Sequence, residues 1–125
     1  MLPNHSPLKV AELFRVLTAL YPERIDLALG RAAGTDPRTA VILRRGKPLS
    51  REDEFAEELQ ALCHYLGPDP LPRPPFARST IAVPAGVAAP QLWLLGSSDY
   101  GSRLAAKLGW PFAFAAHMNP NDAAA

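Results

Sequence analysis

Two short polar segments of this chain contain the residue types that bind a phosphate group. Gly96, Ser97 and Ser98 follow an apolar run and precede a helical pattern. Backbone N–H groups, two hydroxyls and the positive end of the helix dipole would therefore converge on one point. Arg31 directly follows another short strand pattern, and its guanidinium can hold an anion through two parallel N–H donors. Because loops at the carboxyl ends of neighbouring parallel strands share one rim, we predict that these four residues share a single anion.

Each of these features also has an ordinary explanation. A Ser-Ser pair before a helix is typical of an N-cap, and a single arginine is usually a surface cation. Asn4 and His5 follow what resembles the tail of a strand on the same rim, although an exposed loop histidine is the alternative for His5. His117 ends the last apolar run, where an imidazole suits proton transfer near neutral pH. No residue is predicted to be catalytic.

Alternating helix and strand patterns predict the elements that position these residues. Ser6 and Pro7 are typical of a helix start, with the Ser6 hydroxyl as the cap. We expect the apolar stripe that follows to be buried; it consists of Val10, Leu13, Phe14, Leu17 and Leu20. A loop is predicted over residues 31–37. The order is helix, strand, helix, strand, helix, strand, over residues 7–20, 25–29, 51–66, 91–95, 99–108 and 111–115.

The prolines are concentrated in one segment. Six of the 14 lie between Pro68 and Pro84, and a proline cannot donate a ladder hydrogen bond. We therefore expect an extended surface excursion over residues 67–90, with a short edge strand at residues 79–83. A linker between two domains is the alternative, but each flank is too short to bury a separate core well. The prediction is a single domain over residues 1–125.

Strands that alternate with helices indicate an α/β fold with a parallel sheet, either open and doubly wound or closed as a (β/α)8 barrel. The apolar run over residues 91–95 is typical of a strand that is covered on both faces. A complete barrel takes about 250 residues. This chain has 125, with three full strand patterns and a strand tail at residues 1–3. The sequence therefore predicts a partial barrel that begins and ends within the repeating pattern.

The composition argues against several classes of function. The formal net charge is +1 and the 13 basic residues are scattered, so we expect no nucleic-acid partner and no acidic membrane surface. No apolar run approaches the roughly 20 residues that cross a bilayer, and the first residues lack the order of a signal peptide. The single cysteine, Cys63, excludes an internal disulfide and a cysteine-pair metal site, and we expect a buried thiol. A cytoplasmic protein is predicted.

Three segments together resemble the luciferase-like monooxygenases, and most closely their single-chain oxidoreductase branch. The segments are MLPNHSPL at residues 1–8, YPERIDLALGRAAGTD at residues 21–36 and LWLLGSSDYGSRLAAKLGWPFAFA at residues 92–115. They occur in collinear order and extend over nearly the whole chain, which makes the resemblance more specific than any one motif.

The resemblance implies a piece of a flavin-dependent monooxygenase, from about the third to the sixth barrel strand with their helices. Such enzymes use reduced FMN and O₂ to oxygenate a small organic substrate, and some relatives use F420 instead. A flavin reductase would supply the electrons. The resemblance assigns Arg31, Gly96, Ser97 and Ser98 to the flavin phosphate and places Asn4 near the flavin or the substrate. Gly101 stands where relatives often carry a hydroxyl, so one phosphate donor would be missing.

The same resemblance leaves the base and most of the substrate pocket on strands that this chain lacks. We therefore expect the chain to be inactive alone, unless a second copy or a companion chain covers its sheet edges. A non-enzymatic flavin- or phosphate-binding module with a small open sheet is one alternative. An inactive remnant that binds nothing is the other.

Overall fold

The computed structural model describes residues 1–46, 52–67 and 80–122. In chain order the helices and strands are α1 (Pro7–Leu20), β1 (Asp26–Gly30), α2 (Pro37–Leu43), α3 (Glu52–Leu66), β2 (Gln91–Gly96), α4 (Asp99–Leu108) and β3 (Phe112–Phe114). The predicted alternation of helices and strands is confirmed, and α2 is an additional helix. None of the described helices is both long enough and apolar enough to span a membrane.

The three strands form one parallel sheet in the order β1-β2-β3. β1 pairs with residues 91–95 of β2, and β3 pairs with residues 94–96. The strand order follows the chain order, as it does in a (β/α)8 barrel, whereas the order reverses in a doubly wound sheet. The predicted α/β class and parallel sheet are therefore confirmed, and the topology is that of a partial barrel.

The described helices cover one face of the sheet. Leu27, Leu29 and Leu94 are buried there among helix side chains, chiefly Ala11, Phe55, Leu59, Leu62, Leu66 and Ala105. Alternate strand residues point to the opposite face, where Ala28 is exposed and Leu95 is 38% exposed. The prediction that the second strand is covered on both faces is therefore wrong at Leu95, although the Met1 side chain covers the neighbouring Gly30 on that opposite face.

The buried face of α1 matches the predicted stripe only in part: Val10 and Phe14 pack against the core, as expected. Ala11 and Thr18 are its buried residues, whereas Leu13 and Leu20 are 58% and 65% exposed. The helix packs against α3, and the small side chain of Ala11 lets the two helices approach closely. The buried side of α1 thus includes Val10 and Phe14 of the predicted stripe but excludes Leu13 and Leu20. The Ser6 hydroxyl, predicted to cap α1, makes no capping hydrogen bond in the described chain.

Arg15 ties α1 to two other segments through backbone carbonyl groups. Its Nε donates to the Tyr65 carbonyl at 3.0 Å and its Nη2 to the Leu66 carbonyl at 3.1 Å, both at the end of α3. Its Nη1 donates to the carbonyls of Pro84 and Val87 at 3.1 and 3.4 Å. A cation at a helix C-terminus also interacts favourably with the helix dipole. Arg15 therefore holds the turn at residues 84–87 against the helical layer.

Two predicted strand segments have other structures. Residues 2–4 form a 3-10 turn in place of a strand tail, with the His5 amide donating to the Leu2 carbonyl. Residues 80–83 are not a strand: Ala82 is buried in the core, and the Val83 amide donates to the Glu12 carboxylate at 3.3 Å. Their backbone is therefore held by α1. Three predicted features lie outside the described residues: Ser79, residue 51 at the start of the second predicted helix, and most of the proline-rich excursion.

Asp36 begins α2 as its N-cap residue. Its carboxylate accepts the backbone N–H groups of Arg38 and Thr39 at 3.0 and 3.1 Å, and it also accepts the Thr39 hydroxyl. Pro37, which has no N–H to satisfy, is the first helical residue. The Asp-Pro pair is a helix-start signal that the predicted loop over residues 31–37 overlooked at its last position.

The Asp36 cap should make stability depend on pH. The hydrogen bond from the Thr39 hydroxyl, followed by that from the Thr39 amide, lowers the pKa of Asp36 below its ordinary value. A carboxyl whose pKa is lowered by folding stabilises the protein above its unfolded pKa, and that contribution is lost as pH falls through the folded pKa. We therefore expect the stability difference between the wild type and Asp36→Ala to shrink as pH falls below about 4. Urea denaturation at a series of pH values measures it.

Asp36→Asn is the matched control for this prediction, because the amide oxygen can still accept the helix N–H groups but carries no titrating charge. Its stability difference from Asp36→Ala should vary less with pH than that of the wild type. Equal variation in the two proteins would show that the Asp36 carboxylate is not the source of the effect.

Candidate functional site

Residues from the loops after all three strands meet in one pocket at the carboxyl edge of the sheet. Arg31 follows β1, Ser97 and Ser98 follow β2, and His117 follows β3. We call this space, of about 310 Å³, the rim pocket. It is lined by Met1, Arg31, Ala32, Phe55, Leu94, Leu95, Gly96, Ser97, Ser98, Tyr100, Gly101, Leu104, Ala115, His117 and Met118. The structure therefore brings Arg31 and residues 96–98 together, as the anion hypothesis requires.

The rim pocket has two chemically different parts. Its polar groups come from the cation of Arg31, the two hydroxyls and the N-terminus of α4. The remaining surface is largely apolar, with Phe55, Leu94, Leu104 and Met118 among its residues. Such a lining suits a ligand that combines an anionic group with an apolar body.

Ser98 occupies the N-cap position of α4, but its hydroxyl makes no capping hydrogen bond within the described part of the chain. Ser98 therefore has the position of an ordinary N-cap residue but not the side-chain hydrogen bond of one. The Asn119 side chain donates to the Ser97 carbonyl at 3.1 Å, which fixes the turn from the segment after β3. The positive end of a ten-residue helix thus faces the rim pocket beside two hydroxyl groups.

The one acidic side chain in the first turn of α4 is turned away from this site. Asp99 pairs with Arg103 at 3.1 Å, and the two side chains are 80% and 81% exposed. Asp99 is not among the described residues that line the rim pocket. No carboxylate occurs in that lining, so the described charge around the pocket favours an anion.

Arg31 reaches the start of α4 directly. Its guanidinium carbon lies 4.3 Å from the centre of the Tyr100 ring, a distance typical of a cation–π contact. Tyr100 is the second residue of α4 and was not predicted to take part. Arg31 is far from residues 96–98 in the sequence, and this contact places it beside them.

Two glycines allow β2 and α4 to approach closely behind the polar turn. A Cβ at Gly101 would lie 2.8 Å from Cε2 of Phe112 and 3.7 Å from Cα of Gly96. A Cβ at Gly96 would lie 3.5 Å from the same ring atom. The absence of a hydroxyl at Gly101 is therefore matched by the Phe112 ring, which occupies the space that a side chain at residue 101 would need.

Gly101→Ala should destabilise the chain despite the better helix propensity of alanine. The overlap with Phe112 costs about 1–3 kcal/mol, and the gain in propensity is at most about 1 kcal/mol. We expect a net loss of about 1 kcal/mol in the free energy of unfolding. The measurement is urea denaturation followed by circular dichroism.

The Phe112→Leu variant is the control, because leucine has no atom where the ring edge lies. In that background Gly101→Ala should be neutral or stabilising. A stabilising effect of Gly101→Ala in the wild-type background would contradict the packing described here.

Asn4 and His5 lie close to the rim pocket but do not join it. The Asn4 side chain donates to the Ala33 carbonyl at 2.7 Å, so it supports the loop that carries Arg31. Asn4 is not among the described residues of the pocket lining. His5 lies instead in a groove between α1 and β1, with Lys9 and Phe14.

A second cavity, of about 260 Å³, lies at the opposite end of the sheet. It is lined by Cys63, Gln91, Trp110 and neighbouring residues, and none of its described lining residues is charged. Cys63 is buried, as predicted. This cavity therefore lacks the donor set of the rim pocket.

Comparison with known proteins gives the family of the chain. A family model described as luciferase-like monooxygenase matches residues 1–125. YvbT of Bacillus subtilis (strain 168) is 50% identical over 121 residues, which are 96% of this chain and 34% of that protein. A luciferase-like monooxygenase of Escherichia coli (strain K12) is 47% identical over 125 residues, 97% of this chain and 34% of that protein.

Two further comparisons add a named activity and a solved structure. An N-acetyl-S-alkylcysteine monooxygenase of B. subtilis is 37% identical over 130 residues, 98% of this chain and 36% of that protein. The crystal structure of apo-MsnO8 is similar with a TM-score of 0.79 and 42% identity, over 96% of this chain and 34% of that one. The chain thus spans about a third of the length of the relatives it matches.

Proposed function

Because the chain belongs to the family of luciferase-like monooxygenases, we propose that its rim pocket binds the phosphate group of FMN in a flavin-dependent monooxygenase. The complete protein would use reduced FMN and O₂ to oxygenate a small organic substrate. The chain would contribute the phosphate end of the flavin site, and it would be inactive without the remaining strands of the barrel.

One observation carries this proposal: Arg31 and residues 96–98 leave adjacent parallel strands and line the same pocket. A phosphate monoester is an anion with several acceptor oxygens, so it can accept from a guanidinium, from hydroxyls and from helix N–H groups at once. A plain N-cap or a plain surface arginine would have no reason to converge in this way.

The described residues have separate roles in the proposal. The guanidinium of Arg31 and the hydroxyls of Ser97 and Ser98 hold the phosphate, and the helix dipole of α4 adds to the attraction. The apolar lining residues of the rim pocket, such as Leu94 and Leu104, contact the uncharged part of the ligand. When bound, reduced flavin supplies the electrons that activate O₂, and a flavin reductase would keep it reduced.

We propose a small organic molecule as the substrate of the complete protein. One relative is named for the oxygenation of an N-acetyl-S-alkylcysteine, which supports a small organic substrate for the complete protein. We assign no catalytic base to the chain.

The test is a fluorescence titration of the chain with FMN and with riboflavin, which lacks the phosphate. We expect FMN to bind at least tenfold more tightly. The double variant Ser97→Ala/Ser98→Ala should reduce the ratio of the riboflavin Kd to the FMN Kd. Ser102→Ala, which removes an exposed hydroxyl from α4, should leave this ratio unchanged. Equal affinities for FMN and riboflavin in the wild type would contradict the proposal, and binding of neither would favour an inactive remnant. If F420 bound more tightly than FMN, F420 would be the cofactor in place of FMN.

A further inference from the structure

A contact between the loop after β1 and the first turn of α4 joins Arg31 to Tyr100. The guanidinium carbon lies 4.3 Å from the ring centre. Both side chains are partly buried, and both line the rim pocket. A cation within about 6 Å of an aromatic face is attracted by the ring quadrupole, so the contact favours one placement of the guanidinium.

From this contact we infer that Tyr100 is a positioning residue, which holds Arg31 where its N–H donors meet the flavin phosphate. The inference rests on the proposed flavin-phosphate site. An arginine side chain has many rotamers, and each one lost on binding lowers the affinity for the ligand. A guanidinium that is already held before the ligand arrives loses less conformational freedom, so the ligand binds more tightly.

The position of Tyr100 in the fold suits this role. It follows Ser98 by two residues, so its ring and the polar turn belong to the same end of α4. The guanidinium is therefore held at a fixed place relative to the N-terminus of the helix. A guanidinium has five N–H donors, and a cation–π contact uses its charge without consuming an acceptor for them, so the contact is compatible with hydrogen bonds to an anion.

A role in packing alone is the competing explanation, since Tyr100 also packs against the buried core. The two explanations differ for a ligand that has no phosphate. Loss of packing would weaken the binding of FMN and of riboflavin alike, whereas a misplaced Arg31 would weaken the binding of FMN only.

The test uses the full chain with Tyr100→Leu and Tyr100→Phe, each alone and combined with Arg31→Ala, and measures Kd for FMN and riboflavin by flavin fluorescence. Tyr100→Leu should raise the Kd of FMN about three- to tenfold and leave that of riboflavin unchanged. Tyr100→Phe keeps the ring and should preserve both values. In the Arg31→Ala background, Tyr100→Leu should have no further effect on FMN.

Tyr21→Leu is the matched control, because Tyr21 is 51% exposed and lies at the other end of the fold, after α1. It should change neither Kd. The inference is overturned if Tyr100→Leu raises both Kd values equally, if it weakens FMN binding equally with and without Arg31, or if Tyr100→Phe has the same effect as Tyr100→Leu. Those results would not contradict the proposed flavin-phosphate site. An unchanged Kd for FMN in Arg31→Ala alone would instead contradict the proposed function, and the inference with it.

Discussion

Replacing Arg31 with alanine is expected to weaken FMN binding about 10- to 100-fold and to leave riboflavin binding unchanged. The guanidinium is the only cationic side chain that is always charged among the described residues of the rim pocket. Hydrogen bonds to charged groups contribute about 1.5–3 kcal/mol each, which corresponds to this range of affinity. Calorimetric or fluorescence titration of both ligands measures the effect.

Arg24→Ala is the matched control for this prediction. Arg24 is an exposed arginine just before β1, at the opposite end of the strand that Arg31 follows. Its removal changes the net charge by the same amount, so it should leave FMN binding unchanged if the effect is local. An equal loss in both variants would mean that general charge attraction, and not the rim pocket, binds the phosphate.

Replacing Arg15 with alanine should cause the largest loss of stability among single changes to the described polar side chains. Four backbone carbonyls, at Tyr65, Leu66, Pro84 and Val87, would each lose a charged donor. Tyr65 and Leu66 are themselves buried, so water cannot easily replace the lost donor at the end of α3. We expect the free energy of unfolding to fall by roughly 2–4 kcal/mol, as measured by urea denaturation.

Two variants separate this clamp from a general effect of removing charge from α1. Arg15→Lys keeps the charge but cannot span four acceptors with its single ammonium group, so its loss should be intermediate. Lys9→Ala removes an exposed cation from the same helix and should change stability by less than about 0.5 kcal/mol. A loss for Arg15→Ala no larger than that for Lys9→Ala would show that the carbonyl contacts contribute little.

The elements that were predicted correctly have strong local signals. The helix over residues 99–108 ends at Gly109, whose φ of +67° is the left-handed conformation that favours glycine after a helix. The run over residues 91–95 has the continuous apolar character of a strand in a parallel sheet, and β2 begins at Gln91 as expected. Such signals depend on neighbours along the chain, so they can be interpreted without knowledge of the fold.

Features that depend on distant neighbours were not predictable in this way. The buried face of α1 is set by its packing against α3, so the apolar stripe predicted the burial of Val10 and Phe14 but not the exposure of Leu13 and Leu20. The carbonyl groups that Arg15 contacts lie 50 to 72 residues further along the chain. The strand predicted at residues 79–83 fails over its described part because the Glu12 carboxylate binds the Val83 amide.

In the candidate site, too, some residues have a local sequence signal and others depend on distant neighbours. Arg31, Ser97 and Ser98 could be proposed from the sequence because polar residues after parallel strands share one rim. Tyr100 and Asn119, which hold Arg31 and the Ser97 carbonyl, could not be, since the first resembles an ordinary helix residue and the second lies beyond the last strand. Asn4 proved to support the loop after Arg31, at Ala33, and not to line the pocket.

The most direct measurement of the central claim is a titration of the ¹⁵N-labelled chain with FMN, followed through the backbone amide resonances by NMR. The account predicts that the largest shift changes occur together at residue 31 and residues 96–98, and that riboflavin leaves these resonances much less affected. Largest changes at the opposite end of the sheet, around Cys63 and Trp110, would contradict a phosphate shared by Arg31 and the two serines.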